Sequence, residues 1–145
     1  MRRLALDVGN ARIGVAVSQD SLSLPHSAIA NNAAAMGSID ELIAEYSPVC
    51  IYVGLPLSLS GSHTQSTTMA LNFAREISKR TDIPIRMIDE RLTSRSASAQ
   101  LRSAGKNSRE QKAIIDASAA ALILDFAINA ERDEFSGVSL EELDA

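Results

Sequence analysis

LALDVGNARIGVAVS, Leu4 to Ser18, is the stretch on which the fold turns. Two apolar runs, LAL and IGVAVS, flank a short polar turn at Gly9 and Asn10. Such runs around a Gly-containing turn read as a β-hairpin, with strands over 3–8 and 12–18. One carboxylate, Asp7, stands where the first strand ends. A turn-forming Asp that accepts backbone N–H bonds explains the local geometry. A rigid strand is also the support that a site residue needs.

Working outward, residues 24–30 read as a third strand, interrupted early by Pro25. SIDELIAEY, Ser38 to Tyr46, reads as a helix, with Ile39, Leu42, Ile43 and Tyr46 on one side. Ser38 and Glu41 form a capping-box pattern at its start. VCIYVG, Val49 to Gly54, is continuously apolar, as a strand buried on both faces should be. After the loop LPLSLSGSHTQS, a helix is expected from about Thr67 to Lys79. A short strand over 84–88 then runs into DER. Thr93 or Ser94 can cap a helix ending near Gly105, and Ser108 with Gln111 can open a last helix running to about Asn129. The order β-β-β-α-β-α-β-α-α predicts an α/β fold. Its mixed five-stranded sheet has three antiparallel N-terminal strands, then alternating α/β, with helices on both faces.

A chain of 145 residues, 46% hydrophobic, suits one domain with a core that needs no disulfides. With aromatics at 3% and no Trp, the core must be aliphatic, and binding of single strands by base stacking on aromatics is disfavoured. The single cysteine, Cys50, lies inside an apolar run and reads as a buried small hydrophobe. Leu4, Ala5 and Leu6 are too short a run before Asp7 for a signal peptide, and no run of about 18 apolar residues marks a membrane span. These features predict a cytoplasmic protein with no membrane partner.

The net charge of −4 is uneven. Of 14 bases and 18 acids, residues 131–145 hold one and six, which leaves 13 and 12 in residues 1–130. The domain is therefore expected over 1–130, followed by an acidic, loosely ordered tail over 131–145. Between Arg75 and Lys112 ten bases face five acids, a pattern that fits either a polyanion surface or a solvated helical face.

Three acids stand out. Asp7 ends the first strand, Glu90 follows the strand PIRMI, and Asp116 sits in AIIDASAAALIL of the last helix. With Ile115, Ala119, Leu122 and Phe126 as the core stripe, Asp116 falls at the border of the buried face. Each acid alone is explained by a salt bridge or a backbone contact. Together, at strand ends where α/β sheets open a crevice, they would repel one another unless a cation joined them. Oxygen-only ligands suit Mg²⁺ or Mn²⁺, the arrangement for metal-assisted phosphodiester hydrolysis. His26 and His63 have no Cys or His at ligand spacing. No phosphate-binding G-x-x-x-x-G-K-[ST] loop is present.

DVGNARIGVAVS, VGLPLSLSG, DERLTS and SREQKAIIDASAAALIL resemble, in order and spacing, the YqgF family. These bacterial proteins have a ribonuclease H-like fold and are named as Holliday-junction resolvases or pre-16S rRNA nucleases. The resemblance covers residues 3–128. It implies Asp7, Glu90 and Asp116 as catalytic and metal-binding residues, and Arg12 and Arg91 as contacts to the substrate backbone. Arg95 and Lys112 are further candidates for that backbone. Ser58 stands where the family commonly has Asn after GLPL, and Ala11 where it often has Lys. The implied activity is a divalent-metal nuclease in maturation of the 16S rRNA 5′ end, with nucleic acid as partner and a monomer or homodimer as the assembly. A four-way DNA junction is the alternative substrate. The rivals are a non-catalytic nucleic-acid-binding ribosome-assembly factor and an actin-like ATPase, and the latter would need a second such domain.

Overall fold

The computed structural model describes residues 1–93, 109–132 and 138–139. The hairpin is as read: β1 (Arg3–Val8) and β2 (Arg12–Gln19) pair antiparallel, with Leu4 opposite Val17 and Asp7 opposite Gly14. The Gly9 N–H donates to the Arg12 carbonyl at 2.9 Å and closes the turn. β3 (Leu22–Ala30) continues the antiparallel run, with an irregularity between Val15 and Ala16 that lets it pass Pro25. β4 (Cys50–Leu55) and β5 (Ile85–Asp89) then add in parallel to β1. The sheet order is β3-β2-β1-β4-β5-β6. The expected five strands are all present. The sixth, β6 (Val138–Ser139), pairs antiparallel with β5 inside the acidic tail. Two residues are too short to carry a strand periodicity.

Strand alternation gives the sheet two unlike faces. Leu4, Leu6, Val8, Ile13, Val15, Val17, Ile51 and Val53 form one buried layer with helices α1 (Ala35–Tyr46) and α2 (Gln65–Ser78). Ala5, Ala16, Cys50, Tyr52 and Ile88 form the other, against α3 (Arg109–Arg132). The α3 side carries Ala5 opposite Ala16, and Gly14 two residues from Ala16, so the helix can approach the hairpin closely. Cys50 is buried there, and its burial pushes the thiol pKa up.

Helix starts differ from expectation where capping competes. Helix α1 begins at Ala35, not after Ser38, and its N-cap Ala34 makes no side-chain cap. The Asn32 side chain instead accepts from the Ala34 N–H, and the Ser38 hydroxyl points back to the Ala34 carbonyl. Helix α2 begins at Gln65, because Thr64 and Thr67 form a reciprocal capping box. The helix expected to end near Gly105 lies outside the described residues.

By length and mean composition residues 113–132 of α3 would pass for a membrane span, although Asp116 and Asp125 interrupt the apolar run. Here the apolar side chains Ala120, Ile123, Leu124 and Ala127 are the packing face against the sheet. The helix extends past Asn129 to Arg132, and its end is tied down. Glu131 accepts from the Arg3 guanidinium at 2.7–3.0 Å and from the buried Tyr52 hydroxyl. Burial, then this contact, push the Tyr52 pKa above the usual phenol range.

Candidate active site

Alternation along the strands that face α3 leads directly to the acids. Ala5 faces α3, so Asp7 does too, at the carboxyl end of β1. Ile88 faces α3, so Glu90 continues on that side where β5 passes into a single turn of 3₁₀ helix, Glu90–Leu92. Asp89 starts that turn by accepting from the Arg91 N–H at 2.9 Å, and Thr93 closes it on the Glu90 carbonyl. Asp7 is 8% exposed and Glu90 5%.

Asp116 lies nearer the inward face of α3 than the sequence stripe placed it. The residues buried against the sheet are Ala120, Ile123, Leu124, Ala127 and Ile128, while Leu122 and Phe126 are only half-buried. Asp116 stands one turn before Ala120, in line with this face. Ile115 and Ala119 of the expected stripe are buried, whereas its C-terminal half fell on Leu122 and Phe126 because Ala120 and Ala127, which pack as core residues, carry little hydropathy signal.

Two glycines make the convergence possible. A Cβ on Gly14 would stand 1.9 Å from the Asp116 carbonyl oxygen, so the α3 backbone lies on the bare strand opposite Asp7. A Cβ on Gly54 would stand 2.6 Å from Glu90 Oε1 and 2.7 Å from Ile123 Cδ1. Gly54 thus leaves room for both the carboxylate and the helix. Glycine inside an apolar strand is a known mark of close approach, and this was the signal the sequence reading did not use.

The three acids line one cleft of about 180 Å³, together with Gly9, Asn10, Arg12, Pro56, Ser66 and Met69. Arg12 Nε donates to Asp116 Oδ2 at 2.6 Å. No group among the described residues donates to the Asp7 carboxylate, which is nearly buried. Its oxygens open onto the cleft, where a carboxylate without a described donor suits a cation. The donor set is oxygen-only and suits a hard divalent ion. The three carboxylates are not drawn in as a finished cluster: among the described residues no three His, Cys, Asp or Glu side chains stand at metal-holding distance. The residues therefore fit a divalent ion in kind, with Asp7 and Glu90 as the buried pair and Asp116 held back by Arg12.

The other expected residues lie elsewhere. Arg91 does not line the cleft. Its guanidinium forks onto Asp89 at 2.6–3.1 Å and donates to the Leu59 carbonyl at 3.2 Å, which holds the Asp89 carboxyl below its usual pKa. Ser58 is spent on its own loop, bonded to the Ser60 hydroxyl and the Ser62 N–H. Arg95 lies outside the described residues, as does the side chain of Lys112. Of the basic stretch, Lys79 and Arg80 are paired with Glu76 and Asp40. Ser66 and Met69 reach the cleft from α2, and nothing in their sequence pattern marks them.

A mixed sheet with three antiparallel strands, two parallel ones and acids at the carboxyl ends defines the ribonuclease H-like class. The chain superposes on RuvC of T. thermophilus in complex with a Holliday junction substrate, with a TM-score of 0.61 over 94% of this chain and 98% of that one. A second structure, of Thermus thermophilus RuvC, gives 0.57 over 96% and 99%. Identities of 14% and 13% make this a likeness of fold. The family model described as RuvX, Holliday junction resolvase, matches residues 1–130, and the chain belongs to that family. A relative from Leifsonia xyli, named as a candidate pre-16S rRNA nuclease, is 42% identical over 134 residues, 90% of this chain and 86% of its own. One from Clavibacter sepedonicus, named likewise, is 45% identical over 137 residues, 90% of this chain and 84% of its own.

Proposed function

We propose that this chain is a divalent-metal-dependent nuclease of the cytoplasm that hydrolyses phosphodiester bonds in maturing the 5′ end of pre-16S rRNA. The observation that carries the reading is the meeting of Asp7, Glu90 and Asp116 in one cleft beside Arg12. The names of the relatives support the RNA substrate. Asp7 and Glu90, with Asp116, would hold Mg²⁺ or Mn²⁺. The ion, when bound, supplies activation of water and charge neutralisation at the scissile phosphate. The chain's own residues do the positioning. Arg12, released from Asp116, is placed to fork onto a phosphate oxygen. Val8, Pro56 and Met69 wall the cleft with apolar surface, which strengthens each charge contact inside it. The Ala11 position lends no second cation, so backbone grip on this side rests on Arg12.

The test is Mn²⁺-dependent cleavage of a pre-16S 5′-leader RNA by the wild type and by Asp7→Asn. Loss of cleavage in the variant is expected, and equal activity in both would sink the mechanism. A four-way DNA junction in a parallel reaction tests the second reading, which the family's description favours. Binding of either substrate without cleavage by the wild type would instead favour a non-catalytic assembly factor.

A further inference from the structure

A second groove opens beside the cleft, and the two share Met69. It has a volume of about 470 Å³ and lies shallow and open to solvent. Its floor is Met36 of α1 with Met69 and Phe73 of α2. Gln65, Thr68 and Asn72 line its rim from the exposed side of α2, at the i, i+3, i+7 spacing of one helix face. Asn31 closes the end nearest the acids. It belongs to the scaffold of the cleft, since its N–H donates to the Ala11 carbonyl at 2.9 Å and its Nδ2 to the Gly9 carbonyl at 2.8 Å.

The chemistry of this lining is selective. No Lys or Arg is among the described residues that line it, although Arg75 donates to Asn72 Oδ1 at 3.2 Å at the rim and Lys79 pairs with Glu76 at 3.1 Å at the margin. Gln65 brings an amide that can donate and accept, Asn72 keeps its amide donor while its Oδ1 accepts from Arg75, and Thr68, whose hydroxyl donates to the Thr64 carbonyl, keeps acceptor capacity, a set that matches the edge of a nucleobase. The thioethers of Met36 and Met69, rather than an aromatic platform, offer apolar contact to its flat surface, in keeping with an aromatic content of 3%. A paired, stacked base hides its faces and its Watson–Crick edge from such a groove. We propose that this groove is a subsite for an unstacked base of single-stranded RNA flanking the scissile phosphate. It rests on the nuclease reading above, with Arg12 on the backbone and the groove on the adjoining base.

The assignment makes the substrate single-stranded next to the cut. It also adds a grip insensitive to salt beside a cleft in which Arg12 is the one cation among the described lining residues. The test uses the full chain carrying Asp7→Asn, a fluorescein-labelled single-stranded RNA from the leader, the same RNA annealed to its complement, and the DNA single strand of that sequence. Single-stranded RNA should bind most tightly. Gln65→Ala with Asn72→Ala should weaken it about tenfold, as loss of base contacts does, and leave the duplex unchanged. Both side chains are exposed, so thermal unfolding should stay within a degree or so of the parent and report that the fold is intact. A 4-thiouridine next to the cut site should crosslink within residues 65–73. Equal loss for duplex and single strand, unchanged binding, or crosslinks confined to other elements would overturn the subsite. Wild-type cleavage of the same RNA in Mn²⁺ separates the two claims. Absence of cleavage defeats the nuclease reading, whereas cleavage with unaltered binding by the double variant defeats only the groove.

Discussion

Arg12 Nε lies 2.6 Å from Asp116 Oδ2, so the carboxylate of the last helix is already neutralised by the hairpin that carries Asp7. A guanidinium in that position stands where a divalent cation would compete. Replacing it with a neutral side chain should therefore help the metal and harm the substrate. Arg12→Gln is expected to tighten Mn²⁺ binding by about tenfold, ~1.4 kcal/mol. Titration calorimetry on the RNA-free protein measures this directly. The same variant should bind RNA more weakly, with the salt dependence reduced by about one phosphate contact. Unchanged Mn²⁺ affinity would mean that Asp116 and the metal do not meet.

Gly14 and Gly54 should respond differently to a methyl group. At Gly14 the new Cβ would meet helix backbone at 1.9 Å, which cannot turn away. Gly14→Ala should push α3 off the hairpin and destabilise by about 1–3 kcal/mol or more, read by urea unfolding. At Gly54 the nearest atom is the tip of Glu90, which can move. Gly54→Ala should retain more stability yet displace the carboxylate, so cleavage falls further than the midpoint of unfolding would suggest. If Gly54→Ala kept full activity, Glu90 would not be placed by this contact.

The strands were legible because each follows a simple rule. The hairpin has a marked turn, and the run Cys50–Leu55 is apolar throughout since both its faces are covered. Asp7 and Glu90 could be picked out because a strand end announces itself. The rest depended on contacts between distant segments. Nothing near Asp116 in sequence shows that Gly14 lets its helix settle there. Arg91 follows Glu90 directly yet is drawn away by Asp89 and the Leu59 carbonyl, a contact across 32 residues. Ser38 had the right type for a cap but lost to the earlier start that Asn32 permits.

Tyr52 links the middle of the sheet to the end of α3 through Glu131, and Arg3 braces the same carboxylate. Tyr52→Phe removes the donor and leaves Glu131 with Arg3 alone. It should cost about 1–2 kcal/mol at neutral pH, measured by chemical unfolding. The pKa of Tyr52 is raised in the folded state, so the folded protein holds this proton more tightly than the unfolded chain. That stability is fully present below the ordinary phenol pKa of about 10 and is lost as the pH rises beyond it. The wild type should therefore lose stability above pH 10 more steeply than Tyr52→Phe. Parallel alkaline profiles for the two would show that the phenol is not held by this contact.

Asp7 is a nearly buried carboxylate to which no group among the described residues donates, and this gives its removal an unusual expected sign. Loss of a buried side chain's charge ordinarily breaks a pair and destabilises. Here Asp7→Asn removes a charge that no described residue pairs, close to the carboxylates of Glu90 and Asp116, so the metal-free variant should melt at or above the wild-type temperature. In Mn²⁺ the order should reverse. A ligand at 100 times its dissociation constant stabilises by about 2.7 kcal/mol, and the wild type should gain this while the variant gains little. Calorimetric scans with and without Mn²⁺ read both effects without any assay of cleavage. A variant that melts well below the wild type in the absence of metal would show that Asp7 serves the fold through a partner. An equal Mn²⁺ shift in both proteins would place the ion away from the end of β1.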